Sequence, residues 1–198
     1  MGKDTDAFNR DFGFEPTEID VMILSHAHID HCGLVPKLIK DGFGGKIFCT
    51  SATKKIKKIL LEDSGEIQES DIKYSNKRRM AEGQPLLKPL YTIEDAKNSY
   101  SHFIDVKYGT WEQVIDGVEV FFTDAGHIIG SACVHLRIKE NGVTRQLTFS
   151  GDVGRYRDVI LKSPETFPQA DFILLESTYG NSLHDDVVTT PDHLLEWI

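Results

Sequence analysis

The sequence predicts an α+β fold built in layers, on three observations. Short β-branched runs and helix-period segments intermix along the chain. From Val118 onward the apolar period becomes two, the signature of strands with one buried face. Asn141-Gly142 stands between two such runs, a two-residue hairpin signal that excludes a purely parallel sheet.

Taken in order, Ile19-Asp20-Val21-Met22-Ile23-Leu24 reads as a buried strand that stops at Ser25. Residues 33–40 read as a helix, with Pro36 tolerable in its first turn and Gly42 as a left-handed stop. The segment between them is a strand-to-helix loop. Lys46 to Cys49 is another short strand, after which Ser51 caps a basic amphipathic helix with Ile56, Ile59 and Leu60 at helical spacing. Residues 62–81 are polar and helical, suited to covering a core. A helix over 93–100 precedes strands at Val118 to Phe122, Ala132 to Ile138 and Val143 to Phe149. The last buried strand spans Phe172 to Leu175, and Thr190-Pro191-Asp192 opens a helix that is cut off at Ile198.

At 198 residues, 40% hydrophobic and 27% charged, one domain is expected. The longest apolar runs fall far short of the roughly 20 residues that span a bilayer, and the polar, acidic start is unlike a secretory signal. A cytoplasmic protein without a membrane partner is expected. Three cysteines, Cys32, Cys49 and Cys133, make an odd count without CxxC spacing and read as small buried hydrophobes. The net charge of −9 opposes gripping a polyphosphate by surface electrostatics alone. The basic runs Lys54-Lys55-Ile56-Lys57-Lys58 and 73–79 read as solvated helix faces.

Chemistry concentrates in Ser25-His26-Ala27-His28-Ile29-Asp30-His31. In an extended loop His26 and His28 point the same way and converge on one cation, while Asp30 and His31 diverge toward a second. Imidazole and carboxylate suit zinc, and two-metal hydrolases hold their ions roughly 3.5–4 Å apart. More ligands are needed, and two Gly-flanked candidates follow apolar strands: His127 in Asp124-Ala125-Gly126-His127, and Asp152 in Ser150-Gly151-Asp152-Val153-Gly154. The plainer alternatives are Asp30 as a helix N-cap and His127 and Asp152 as turn residues. They leave unexplained why four ligand-type groups should share one loop. His102, His135, His184 and His193 lack ligand-spaced partners and read as surface or packing residues, and Cys32 as helix-start packing.

Together, His26-x-His28-x-Asp30-His31, Ala-Gly-His-x-x-Gly-Ser-Ala around His127 and Ser-Gly-Asp-x-Gly-Arg around Asp152 resemble the metallo-β-lactamase superfamily. Leu175-Glu176-Ser177-Thr178-Tyr179-Gly180 resembles the junction into the β-CASP domain of its nucleic-acid-processing branch, which includes ribonucleases and the endonuclease of mRNA 3′-end formation. The resemblance implies an αββα sandwich, here without the N-terminal strands and the β-CASP insertion. Residues 1–180 would be the metallo-β-lactamase-like core and 181–198 the start of a truncated β-CASP segment.

It also implies two zinc ions, one held by His26, His28 and His127, the other by Asp30 and His31, with Asp152 bridging. Asp30 and Glu176 would be catalytic, Glu176 by orienting a histidine beside the leaving oxygen. A zinc-bridged hydroxide would attack phosphorus in line, on RNA rather than DNA. Without the missing segments the fragment alone is expected to be inactive, and its free sheet edge to favour homodimers or other self-association. The rival readings are a thioesterase or lactamase on the same scaffold, disfavoured by Glu176-Ser177-Thr178-Tyr179-Gly180, and a non-catalytic scaffold subunit of an RNA-processing complex.

Overall fold

A computed structural model describes residues 5–182 and residue 195. Its elements are α1 (Thr5–Arg10), β1 (Val21–Ile23), α2 (Ile29–Cys32), α3 (Val35–Lys40), β2 (Lys46–Cys49), α4 (Ser51–Ala81) and α5 (Ile93–Asn98), then β3 (Phe103–Asp105), β4 (Glu112–Ile115), β5 (Val118–Asp124), β6 (Ala132–Glu140), β7 (Val143–Phe149) and β8 (Phe172–Leu174).

Two sheets result. One is parallel, in the order β1-β2-β3; the other runs β4-β5-β6-β7-β8, antiparallel except for the parallel pair β7–β8. Strand alternation divides β2 between two cores. Ile47 and Cys49 face one cluster with Leu38 of α3, Leu61 of α4, Ala96 of α5 and Phe103, whereas Phe48 faces Val120, Phe122, Ala132 and Val134 of the larger sheet. Helices, sheet and sheet therefore stack as layers of an α+β fold. The β6–β7 hairpin turns at Asn141 and Gly142, both left-handed at φ 49° and 77°, as a type I′ turn requires.

Several expectations are corrected. The helix after β1 begins at Ile29, not at residue 33, and breaks near Gly33 before α3, so Asp30 and His31 are already helical. The cap of α4 is Thr50, whose hydroxyl accepts from the Thr53 N–H at 3.2 Å, rather than Ser51. The buried stripe of α4 is Thr53, Lys57, Leu61 and Gly65, while Ile59 is 72% exposed. Close approach selects that face: a Cβ at Gly65 would lie 2.9 Å from the Ile93 nitrogen, so only glycine lets α4 touch the start of α5. Lys57 is accordingly not solvated; its Nζ sits 3.2 Å from the Phe103 ring centroid and 4.3 Å from that of Tyr100. The helix over 93–100 is shorter, ending at Asn98 before a 3₁₀ turn.

The largest correction concerns β8. It forms, but Phe172, Ile173 and Leu174 are exposed, as is Leu175 beyond it. Among the described residues the strand closes one end of the five-stranded sheet and pairs with β7 alone, while the facing sheet has three strands. Apolar composition fits a strand for burial but does not supply the layer that buries it. Neither β3 nor β4 was anticipated: β3 is three residues long, and Glu112-Gln113-Val114-Ile115 does not alternate. The helix start at 190–192, most of the 181–198 segment, His184 and His193 lie outside the described residues. Among the described residues no helix is long and apolar enough to cross a membrane, and all three cysteines are buried.

Candidate metal centre

Three strand ends meet at one rim. The segment after β1 stays in register through the Leu24 N–H donating to the Phe48 carbonyl, and the Ser25 carbonyl accepts from the Ala132 N–H, each at 2.9 Å. This second bond draws the His26 loop to the start of β6, directly after the loop that carries His127. Gly151, left-handed at φ 56°, passes so close to Ser25 that an added Cβ would lie 3.0 Å from the serine Cβ. Asp152 thereby arrives on the same side.

His26, His28, His127 and Asp152 each present one ligand atom, all within 4.8 Å of one another. His28 Nδ1 lies 3.1 Å from His26 Nε2 and 3.0 Å from His127 Nε2. Asp152 Oδ2 lies 3.6 Å from the first of those Nε2 atoms and 3.4 Å from the second. A tetrahedral zinc with ligands at about 2.0–2.1 Å separates its donor atoms by about 3.3 Å. Four of the separations, at 3.0–3.6 Å, are close to that value, and three nitrogens with one carboxylate oxygen suit the ion.

Charge supports the same arrangement. Burial, followed by the neighbouring His31 imidazole, depresses the His26 pKa to about 4, and burial also lowers that of His127. Both rings are then neutral near pH 7, the form in which imidazole binds a metal. Ser25 Oγ lies 3.1 Å from His26 Nδ1; with the proton on that nitrogen, Nε2 is left as the donor atom facing the cluster.

Asp30 and His31 stand on the other side of the aspartate. His31 Nε2 is 3.3 Å from Asp152 Oδ1 and 3.6 Å from Asp30 Oδ2. Asp30 does not cap the helix: the N-cap position is His28, without a side-chain cap bond. The Glu176 carboxylate accepts from the Val153 N–H at 2.6 Å and from the Thr178 hydroxyl at 3.2 Å, while the Glu176 N–H donates to Ser150 Oγ. Glu176 thus grips the backbone next to Asp152. Beside it a cleft of about 400 Å³ is lined by His127, Asp152, Arg155, Glu176 and Tyr179. A larger, mainly apolar groove of about 810 Å³ borders β1 and reaches Asp30 and His31.

Sequence reasoning missed Ser25 and Ser150, whose only signal was adjacency to a candidate ligand loop. Cys32 stays out of the cluster, its Sγ directed to the Ala27 carbonyl at 3.4 Å. The other two described histidines are structural: His102 Nδ1 contacts the Gly45 carbonyl, and His135 is buried between the Thr123 and Thr148 hydroxyls.

A family model described as the metallo-beta-lactamase superfamily matches residues 3–186. The chain is 32% identical over 196 residues to Ribonuclease TTHA0252 of Thermus thermophilus, a match covering 99% of this chain and 40% of that protein. It is 32% identical over 177 residues to Transcription termination factor FttA of Methanocaldococcus jannaschii, covering 88% of this chain and 25% of that one. It therefore spans less than half the length of either relative. Among solved structures, the subclass B3 metallo-beta-lactamase MEM-A1 from a soil metagenome library aligns over 71% of this chain and 44% of its own, at 20% identity and a TM-score of 0.41.

Proposed function

Because the chain belongs to the metallo-beta-lactamase superfamily, we propose that it is the metal-binding part of a phosphodiesterase that hydrolyses RNA. The observation that carries this reading is the placement of Asp152 between two groups of ligand-type residues. His26 Nε2, His28 Nδ1, His127 Nε2 and Asp152 Oδ2 would hold one cation; Asp30, His31 and Asp152 Oδ1 would hold the other. Zinc is the ion this donor set suits. When bound, such a pair supplies a water ionised near pH 7 and neutralises charge on a scissile phosphate.

The protein's own groups do the rest. Ser25 orients the His26 ring, and Glu176 holds the Val153 amide and so the Asp152 backbone. The cleft beside them admits the substrate, with Arg155 and Tyr179 on its wall. RNA is preferred to a thioester or lactam because the segment 175–180 resembles a β-CASP junction and because one relative is named a ribonuclease. A β-CASP lid would complete the clamp on the strand.

Hydrolysis decides between the readings. In the longest natural chain that carries this sequence, RNA and DNA oligonucleotides, a thioester and a β-lactam are to be compared, with Asp152→Ala as control. RNA cleavage lost in the control is expected. Thioester or lactam turnover without phosphodiester cleavage rejects the proposal, and less than one equivalent of bound metal favours a non-catalytic scaffold.

A further inference from the structure

The loop carrying His127 is pinned by hydroxyl groups from a distant part of the chain. Thr50 and Thr53, at the start of α4, both donate to the Gly130 carbonyl, at 2.7 and 2.9 Å. Ser131 Oγ accepts from the N–H groups of His127 and Ile128, at 3.0 and 3.2 Å. Tyr108 closes the other side by donating to the Ser131 carbonyl at 2.7 Å. Thr50, Thr53 and Ser131 are all buried.

Helix capping alone does not account for this arrangement. Thr50 Oγ1 caps α4 as an acceptor, and its proton is still directed out of the helix to Gly130. A threonine in a helix ordinarily donates to the carbonyl four residues back. Thr53 stands in the first turn, so that carbonyl belongs to Cys49 at the end of β2, outside the helix, where it accepts from the Val106 N–H. Both hydroxyl protons are thus directed to one carbonyl three residues past His127. Gly130, at φ 87°, lies so close to the helix that a Cβ would stand 2.7 Å from the Ala52 Cβ and 2.8 Å from the Thr53 nitrogen.

We propose that Thr50, Thr53 and Ser131 are positioning residues that fix the His127 ring for metal binding before the metal arrives, the threonines by anchoring its loop to the first turn of α4 and Ser131 by holding the His127 and Ile128 amides. The proposal rests on the reading of His127 as a ligand. Its physical content is preorganisation: a loop held by four side-chain donors and acceptors loses little freedom on binding, so affinity is not spent on ordering it.

The test uses the 198-residue chain and zinc alone, titrated against a chromophoric chelator, with cobalt absorption as a second readout. Thr53→Val keeps the shape of the side chain and removes its donor, Ser131→Ala removes the shared acceptor, and Thr53→Ser restores the hydroxyl. The first two variants are expected to weaken zinc binding by about 10–100-fold and to alter the cobalt spectrum, with Thr53→Ser close to the parent. Melting of the metal-free proteins separates this from a packing role. Zinc affinity within about twofold of the parent in folded Thr53→Val and Ser131→Ala overturns the proposal. So does an affinity loss that tracks the unfolded fraction alone. If the parent itself binds no zinc, the ligand reading fails and takes the proposal with it, an outcome distinct from equal binding by parent and variants.

Discussion

Asp152 Oδ1 lies 3.3 Å from His31 Nε2, while Oδ2 of the same carboxylate faces His26 and His127. One side chain therefore belongs to both halves of the candidate centre. Asp152→Asn preserves shape but removes charge from both, and zinc affinity is expected to fall at least about tenfold at each site. His31→Ala should spare the site of His26, His28 and His127, whose four donors, with Asp152, lie together without His31. Isothermal titration of the two variants checks this; equal loss at both sites in His31→Ala contradicts it.

His135 gives a pH dependence independent of metal. Burial lowers its pKa from 6.5 to about 4, and both ring nitrogens contact threonine hydroxyls. Because the folded value is depressed, the unfolded chain binds the extra proton between those two values. Stability is then fully present above pH 6.5 and is lost as pH falls toward 4, by an amount on the order of 3 kcal/mol. Urea melts of chelator-treated His135→Gln should show a shallower fall than the parent across that window. A parallel pH profile would show that His135 is not the group responsible.

Lys57 is 1% exposed and its Nζ closes no hydrogen bond. Burial lowers its pKa from 10.5 to about 7. The ring contacts offset part of that cost, but cation–π attraction of about 2 kcal/mol is smaller than the desolvation of an ammonium. Since the folded pKa is the lower one, the cost is complete below pH 7 and disappears as pH rises to 10.5. Lys57→Met is expected to raise the melting temperature, by more at pH 7 than at pH 10. A lower melting temperature at pH 7 means that the contacts with Phe103 and Tyr100 outweigh desolvation.

Gly65→Ala sets helix propensity against packing. Alanine favours the helix by about 1 kcal/mol, yet its Cβ would lie 2.9 Å from the Ile93 nitrogen and 3.1 Å from the Thr92 carbonyl carbon. Those are backbone atoms, so α5 must move, which costs roughly 1–3 kcal/mol. The net effect is expected to be a lower urea midpoint. A higher midpoint shows that α5 yields easily.

Much of the fold was legible wherever the signal is local. The alternation of β5, β6 and β7 and the turn at Asn141-Gly142 depend on neighbours in sequence, and the strands form as anticipated. The α4 face was not legible, because Ile56 and Ile59 are as apolar as the residues beside Thr53 and Leu61. What decides is Gly65, whose missing side chain lets another helix approach. Ser25 and Glu176 show the same limit at the site, since the partner of Glu176 is a backbone amide that no side-chain pattern announces.

By itself the sequence determined the chemistry: three histidines and an aspartate within six positions, two further ligand-type residues after apolar strands, and a membership in the superfamily that those motifs carry. Only the tertiary structure decided which donor atoms face one another, how far each oxygen of Asp152 stands from either group, and that β8 is exposed among the described residues. Residue type and spacing are properties of the covalent chain, whereas distance and burial depend on which surfaces pack together, and these are set by contacts between residues far apart in sequence.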